Sequence, residues 1–113
     1  MARSTNYEAL LHARELMDAQ YTLPLDLEEL ARTANFSRYH FLRAFRRAFH
    51  ATPHEYLTRK RVERAKELLA ESELTVTEIC FEVGFESLGS FSTLFSRRTG
   101  MPPTSFRQLH AAN

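Results

Sequence analysis

A phenylalanine-marked pattern occurs twice in this chain, and the repetition narrows the folds that the chain can adopt. The first copy runs from Leu27 to Pro53 and the second from Val76 to Pro103. The copies keep an offset of 49 residues up to Phe85 and of 50 residues from Ser87 onward, so one residue has been inserted into the second copy. The matched residues are Leu30, Ala31, Phe36, Ser37, Phe41, Phe45 and Pro53 in the first copy and Ile79, Cys80, Phe85, Ser87, Phe91, Phe95 and Pro103 in the second. Such matching indicates a duplicated unit.

Each copy has the pattern of a short helix, a tight turn and a longer helix. In the first copy the short helix carries apolar residues at Leu27, Leu30, Ala31 and Ala34, and the longer helix, from Ser37 on, carries them at Phe41, Ala44, Phe45, Ala48 and Phe49. This spacing places apolar side chains on one face of a helix, where they are expected to form the core. The order predicts a helix-turn-helix, whose second helix can lie in the major groove of DNA.

Capping residues predict where the helices begin and end, and no segment alternates with the period of a strand. Thr5 and Glu8 fit a capping box for a first helix that ends near Tyr21, before Pro24. The N-caps expected for the later helices are Asp26, Ser37, Thr52, Thr75 and Ser87, with Gly100 at the end of the sixth helix and Pro102 and Pro103 leading into a seventh. These signals predict an all-α fold of seven helices.

The fourth helix joins the two copies. It is expected over residues 53–70, between a first helix-turn-helix at 27–49 and a second at 76–99. A helix of roughly 18 residues is about 27 Å long. We therefore expect two helix-turn-helix subdomains joined by a long linker helix, which fixes the spacing of the two recognition helices.

Positive charge is concentrated in the middle of the chain, although the net charge is only +1. From Ser37 to Lys66 there are nine arginines and lysines against two glutamates. A run of charge on a helix is often only a solvated face, and that reading stays open for the run by itself. On a helix-turn-helix it favours contact with DNA phosphates.

The chain lacks the motifs of several other classes of protein. It has no glycine-rich phosphate loop, no nucleophile elbow and no carboxylate cluster, so no enzyme activity is expected and no residue is given a catalytic role. No stretch approaches the ~18 apolar residues of a membrane span, and residues 1–7 lack the apolar core of a signal peptide. The single cysteine, Cys80, suits the reducing cytoplasm and is expected in the core. The scattered histidines give no zinc site, so neither a metal nor a cofactor is expected.

Residues 9–109 resemble the DNA-binding domain of the AraC/XylS family of bacterial transcription regulators. The most specific match in the second copy comprises Gly84, Phe85, Ser87, Phe91, Phe95, Gly100, Pro103, Phe106 and Arg107, and Ala31, Ser37, Phe41, Phe45 and Pro53 support it in the first. The resemblance implies sequence-specific binding of double-stranded DNA by a domain that is itself monomeric. It also implies regulation of transcription, most often activation through RNA polymerase. Operator, target genes and effector are not legible in the sequence.

The chain departs from the family pattern at three turn positions. Asn35 and His50 stand where the family often has glycine. Both residue types tolerate left-handed backbone better than most, so we expect the turns to be kept. Pro102 stands where serine or threonine usually caps the last helix. Because proline offers no capping oxygen, that helix is expected to begin less firmly.

The resemblance places exposed residues of each recognition helix against DNA. In the first helix these are Arg38, Tyr39, His40, Leu42 and Arg43, with Arg46 and Arg47 further along. Arg43 is the best candidate for a base contact because its fork can bind O6 and N7 of guanine together. The other arginines suit phosphates. Tyr39 suits a sugar or a thymine methyl group, with a partly buried aromatic as the alternative.

The second recognition helix offers a different set of side chains. Its corresponding residues are Leu88, Gly89, Ser90, Ser92 and Thr93, with Arg97 and Arg98 near its end. Small and apolar groups allow close approach but no bidentate base contact, so we predict that the first unit reads more sequence and the second contributes phosphate contacts and shape. Alternatively, Leu88 and Gly89 are helix-start residues remote from DNA. We expect backbone N–H groups at the helix starts capped by Ser37 and Ser87 to be further phosphate ligands.

The expected mechanism places both recognition helices of one monomer in successive major-groove segments. These segments lie ~34 Å apart, which gives an asymmetric site of roughly 20 base pairs. A linker helix of about 27 Å is short for that pitch, so the DNA is expected to bend toward the protein. The alternative is a helical protein-interaction or RNA-binding module, which would explain the helices but would not require the repeat.

Overall fold

The helices predicted from the caps are present in the computed structural model. It describes residues 2–111, with side chains from residue 6 onward. Over that range the chain forms seven helices and no strand: α1 (Ala2–Ala19), α2 (Leu27–Thr33), α3 (Arg38–Phe49), α4 (Pro53–Glu71), α5 (Val76–Glu82), α6 (Leu88–Thr99) and α7 (Pro103–His110). The all-α prediction is confirmed. The chain divides into two compact units, Met1–Arg59 and Lys60–Asn113, and α4 contributes to both.

The first unit buries one face of each of its helices in a common core. This core comprises Leu10, Ala13, Met17, Leu30, Ala31, Ala34, Phe41, Phe45 and Leu57. Phe41 and Phe45 are completely buried, with ring centroids 5.7 Å apart. Phe49 is only partly buried: its ring lies edge-on to Phe45, and the Arg14 guanidinium lies 4.3 Å from its centroid. The phenylalanines of α3 thus form the core and its margin, as the helical spacing predicts.

The second unit repeats this arrangement with residues from α4 to α7. Its buried residues are Val62, Ala65, Leu69, Ile79, Cys80, Val83, Phe85, Phe91, Phe95, Pro103 and Phe106. Arg107 also holds the end of α4, because its Nε donates to the Leu69 carbonyl at 3.0 Å and its Nη2 to the Ser72 carbonyl at 3.2 Å. These bonds satisfy carbonyls that have no partner within a helix end.

Most of the predicted caps are confirmed as hydrogen bonds. The side chains of Asp26, Ser37, Thr75 and Ser87 each accept a backbone N–H at the start of α2, α3, α5 and α6. Thr52 and Glu55 form a reciprocal pair at the start of α4, with distances of 2.8 and 3.1 Å. The prediction was wrong at α1, which begins at Ala2, so that Thr5 lies inside the helix. A serine or threonine caps a helix only when its own backbone is extended, and nothing in residues 2–4 breaks the helix.

Two of the turn predictions are confirmed by the backbone. Asn35 and His50 have φ values of 58° and 61°, in the left-handed region that glycine often occupies in the family. Pro102 precedes α7 without a side-chain capping bond, as its chemistry requires. That α7 begins less firmly stays a prediction.

Candidate nucleic-acid interface

The two helix-turn-helix units share one turn geometry up to the inserted residue. In the first unit the Phe36 N–H donates to the Ala31 carbonyl at 2.8 Å, and in the second the Phe85 N–H donates to the Cys80 carbonyl at 3.1 Å. The chain then runs directly to the α3 cap in the first unit, whereas Glu86 precedes the α6 cap in the second. The insertion predicted from the change of offset is therefore Glu86, and it leaves the turn itself unchanged.

The face of α3 opposite the core is basic and exposed. Because Phe41 and Phe45 point into the core, the residues on the other side of the helix face solvent. Of the residues assigned to DNA in α3, Leu42 is partly buried and the rest are exposed: Arg38, Tyr39, His40, Arg43, Arg46 and Arg47. No acidic residue occurs in α3, so its four arginines have no carboxylate partner within the helix.

Tyr39 and Arg43 form a pair on this exposed face. Arg43 Nη1 donates to the Tyr39 hydroxyl at 2.9 Å, and the guanidinium carbon lies 5.6 Å from the ring centroid. The Tyr39 side chain is 62% exposed, so the alternative of a partly buried aromatic is wrong. Arg43, the best candidate for reading a base, thus contacts an exposed aromatic residue on the preceding turn of the helix.

The side-chain caps of α3 and α6 each occupy one backbone N–H group at the start of the helix. The Ser37 Oγ accepts the His40 N–H at 3.2 Å, and the Ser87 Oγ accepts the Ser90 N–H at 3.1 Å. The Ser37 Oγ also lies 3.0 Å from His40 Nδ1. One N–H of the first turn is therefore already bonded in each recognition helix.

The exposed face of α6 is nearly uncharged over its first turns. Leu88 is 40% exposed, and Gly89, Ser90, Thr93 and Arg97 are exposed, whereas Ser92 is partly buried. A Cβ atom on Gly89 would meet nothing within 4 Å, so packing does not require glycine there. The cations of α6 are confined to its last turn, at Arg97 and Arg98.

The basic run continues along α4, but there it is partly neutralised. Arg64 pairs with Glu67 at 3.1 Å and Lys66 with Glu63 at 3.2 Å. Burial lowers the pKa of Arg61, and the nearby charge of Glu86 partly opposes this shift. The charge run therefore has two parts, and α3 carries the one without carboxylates of its own.

Cys80 has a packing role within the second unit. Its side chain is completely buried, and its Sγ donates to the Ser87 carbonyl at 3.4 Å. Burial raises the pKa of the thiol, which keeps it protonated. The expectation of a core cysteine is confirmed, and the thiol links α5 to the cap of α6.

The described part of the chain contains neither a metal cluster nor a membrane helix. Across residues 2–111, no three His, Cys, Asp or Glu side chains are grouped to hold a metal ion. None of the helices in that range is both long and apolar enough to cross a membrane.

Comparison with known proteins first gives the class of this domain. A family model described as "Helix-turn-helix domain" matches residues 30–109, more than half of the chain. The chain is 35% identical over 104 residues to the HTH-type transcriptional regulator GbdR of Pseudomonas aeruginosa, covering 92% of this chain and 28% of GbdR. It is 36% identical over 95 residues to the bifunctional transcriptional activator/DNA repair enzyme AdaA of Bacillus subtilis, covering 84% of this chain and 45% of AdaA. The chain thus spans less than half the length of these curated relatives.

Solved structures then give the particular family. The DNA-binding domain of AdpA, a global transcriptional factor solved with a target DNA, has a TM-score of 0.83 at 30% identity, covering 88% of this chain and 90% of that one. A transcriptional regulator of the AraC type from Chromobacterium violaceum has a TM-score of 0.83 at 27% identity, covering 98% and 97%. The chain belongs to the AraC/XylS family and is a DNA-binding domain of its transcription regulators, as the sequence predicts.

Proposed function

We propose that residues 9–109 read one specific duplex DNA site through the exposed faces of α3 and α6. The observation that supports this most is the face of α3, where four arginines and Tyr39 lie opposite the buried Phe41 and Phe45. A helix with such a face fits the major groove, since its arginines can bind phosphates and base edges together. Both recognition helices would enter successive groove segments of one site. The bend expected from the length of the linker helix stays a prediction.

The residues of α3 divide into base-reading and phosphate-binding groups. Arg43 would bind O6 and N7 of a guanine, and Tyr39 would contact a neighbouring sugar or thymine methyl group. Arg38, Arg46 and Arg47 would bind phosphates on either side of the groove. His40 is exposed beside Tyr39 and would contact DNA from the same face, whereas the partly buried Leu42 would contribute only its outer surface.

The residues of α6 would contribute shape and phosphate contacts. Leu88 and Thr93 would pack against thymine methyl groups, and Gly89, Ser90 and Ser92 would allow close approach of the helix. Arg97 would bind a phosphate near the end of the helix. This division would leave sequence preference unequal between the two halves of the site.

For the complete regulator we propose activation of transcription in the bacterial cytoplasm, through RNA polymerase as a second partner. AdaA is named a transcriptional activator, and so is the Escherichia coli relative RhaR, which is 35% identical over 88 residues. The domain itself would act as a monomer, without catalysis or a cofactor. The AdaA repair activity belongs to a protein of which this chain spans 45%, and it is not transferred to this domain.

Selection of bound sequences from a random duplex library tests the proposed function. We expect one asymmetric site of roughly 20 base pairs, with stronger preference in one half than in the other. RNA hairpins provide the comparison for the alternative function. Absence of duplex binding even at low salt, or equal binding of RNA and DNA, would favour the interaction or RNA-binding module.

A matched variant separates phosphate binding from base reading. Arg46→Ala should weaken selected and unselected duplexes alike and reduce the slope of log K against log salt by about 1, because one phosphate contact is lost. Fluorescence anisotropy at several salt concentrations measures both quantities. An unchanged slope would remove Arg46 from the phosphate contacts.

A further inference from the structure

The hydrogen bond between Tyr39 and Arg43 joins two exposed side chains on consecutive turns of α3. Arg43 Nη1 and the Tyr39 hydroxyl oxygen are 2.9 Å apart, and no burial forces them together, since Tyr39 is 62% exposed. The guanidinium carbon lies 5.6 Å from the ring centroid, within the range of a cation–π contact. Two separate attractions therefore favour one arrangement of the Arg43 side chain before any DNA is bound.

We infer that Tyr39 is a positioning residue for Arg43, holding its guanidinium ready to read a guanine. The inference rests on the proposed base contact of Arg43 and adds a second determinant of the same specificity. A mobile arginine loses side-chain freedom when it binds a base, and a guanidinium that is already held loses less. Holding Arg43 in advance sharpens discrimination between bases. The side chain has already lost part of its freedom, and it has done so in an arrangement that suits one base.

The chemistry of the pair leaves enough donors for DNA. A guanidinium has five N–H donors, and the bond to Tyr39 uses one of them. The remaining donors can bind O6 and N7 of guanine. The Tyr39 hydroxyl accepts this bond and keeps its own hydrogen for a phosphate oxygen.

Tyr39 also contacts its neighbour His40. Its ring lies 5.7 Å from the His40 ring in an edge-on arrangement, and His40 Nδ1 lies 3.0 Å from the Ser37 Oγ, which caps α3. The positioning pair is thereby connected to the fixed start of the helix. In the second unit the corresponding positions are Gly89 and Thr93, which cannot form such a pair. The inference therefore applies to α3 alone.

A double-mutant cycle on the 113-residue chain tests the inference. The measured quantity is the discrimination ratio, the affinity for the selected duplex divided by that for a duplex changed at the base pair whose preference depends on Arg43. Tyr39→Phe, which removes only the hydroxyl, should lower this ratio about three- to tenfold. The same change in an Arg43→Ala background should leave the ratio unaltered. Tyr21→Phe removes the hydroxyl of a partly buried residue that is not among those assigned to DNA, and it should keep the full ratio.

A second measurement examines the free protein. NMR relaxation of the Arg43 side-chain Nε should show greater mobility in Tyr39→Phe than in the parent, with unchanged thermal unfolding because both groups are exposed. Unchanged mobility, or an unchanged discrimination ratio, overturns the positioning role. An equal loss in the parent and Arg43→Ala backgrounds also overturns it, since the hydroxyl would then act on DNA directly.

The cycle distinguishes this inference from the proposed function. If Arg43→Ala lowers discrimination and Tyr39→Phe does not, base reading by Arg43 stands and only the positioning role is lost. If Arg43→Ala alters no base preference, both fail together.

Discussion

The recognition helices α3 and α6 bury the same pattern of phenylalanines and expose different sets of side chains. Phe41 and Phe45 in α3, and Phe91 and Phe95 in α6, are completely buried. Ring spacing is also alike, at 5.7 Å in the first pair and 5.6 Å in the second. The outer faces differ, since α3 has four arginines spread along its length and α6 has two in its last turn.

The likeness of the two units extends beyond the repeated sequence pattern. Tyr56 in the first turn of α4 lies edge-on to Phe45 at 5.9 Å, and Phe106 of α7 lies edge-on to Phe95 at 5.4 Å. The α1 residues Leu10, Ala13 and Met17 are buried at the same spacing as Val62, Ala65 and Leu69 of α4. Interior positions are constrained by packing in both copies, whereas exposed positions are free to diverge.

The largest expected effect tests whether the cores of the two units are equivalent. Phe41→Ala and Phe91→Ala should each destabilise the fold by about 3–5 kcal/mol, because each removes a completely buried ring. Chemical denaturation followed by circular dichroism measures the loss. Losses that differed severalfold between the two variants would contradict equivalent cores.

The next effect tests the difference between the outer faces. Arg43→Ala should lose about 1–3 kcal/mol of discrimination at one base pair, because the proposed bidentate contact with guanine is removed. Thr93→Ala, at the corresponding position of α6, should change discrimination less, since threonine makes no bidentate contact. Binding to a panel of single-base variants of the selected site measures both. If Arg43→Ala weakened all duplexes equally, its base-reading role would be wrong.

A smaller effect concerns the caps of corresponding helices. Thr52 caps α4 through its hydroxyl, whereas Pro102 precedes α7 without a side-chain bond. Thr52→Ala should destabilise the first unit by about 0.5–2 kcal/mol, and Pro102→Thr should stabilise the second by a similar amount at most. Thermal unfolding of both variants provides the measurement. No gain from Pro102→Thr would mean that the fixed φ of proline already offsets the missing cap.

The smallest effect appears only at alkaline pH. Burial and the 2.6 Å hydrogen bond to Asp18 raise the pKa of Tyr56 to about 12. The folded state therefore holds this proton more tightly than the unfolded state, and stability should fall as pH rises from about 10 to about 12. In Tyr56→Phe, which resembles Phe106 of the second unit, this part of the alkaline loss should disappear. Denaturation midpoints between pH 9 and pH 12 test it, and parallel curves for parent and variant would contradict the assignment.

Local chemistry made most of the fold predictable. The N-caps Asp26, Ser37, Thr75 and Ser87 act through bonds to residues three positions away, so the sequence contains both partners. The start of α1 was missed because a residue such as Thr5 favours a cap only if the chain before it is not helical. That condition depends on the backbone of the preceding residues and not on the residue type alone.

The sequence predicted which residues belong to the candidate site, but not how their side chains are arranged. Helical periodicity places Arg43 and Tyr39 away from the core, and both are exposed. The partial burial of Leu42 and Ser92 depends on how neighbouring elements cover the edges of α3 and α6. The bond between Tyr39 and Arg43 depends on rotamers, which residue spacing permits but does not select.

The sequence alone determined a duplicated helix-turn-helix, its caps and the unequal charge of its two recognition helices, because periodicity, capping and composition act over a few residues. The three-dimensional structure decided which cations of α4 pair with a neighbouring glutamate, how far Tyr39 is exposed and which neighbour Arg43 contacts. These properties depend on the positions of side chains in space. The repeat therefore defines the fold, and the packed structure defines the surface that we propose for DNA binding.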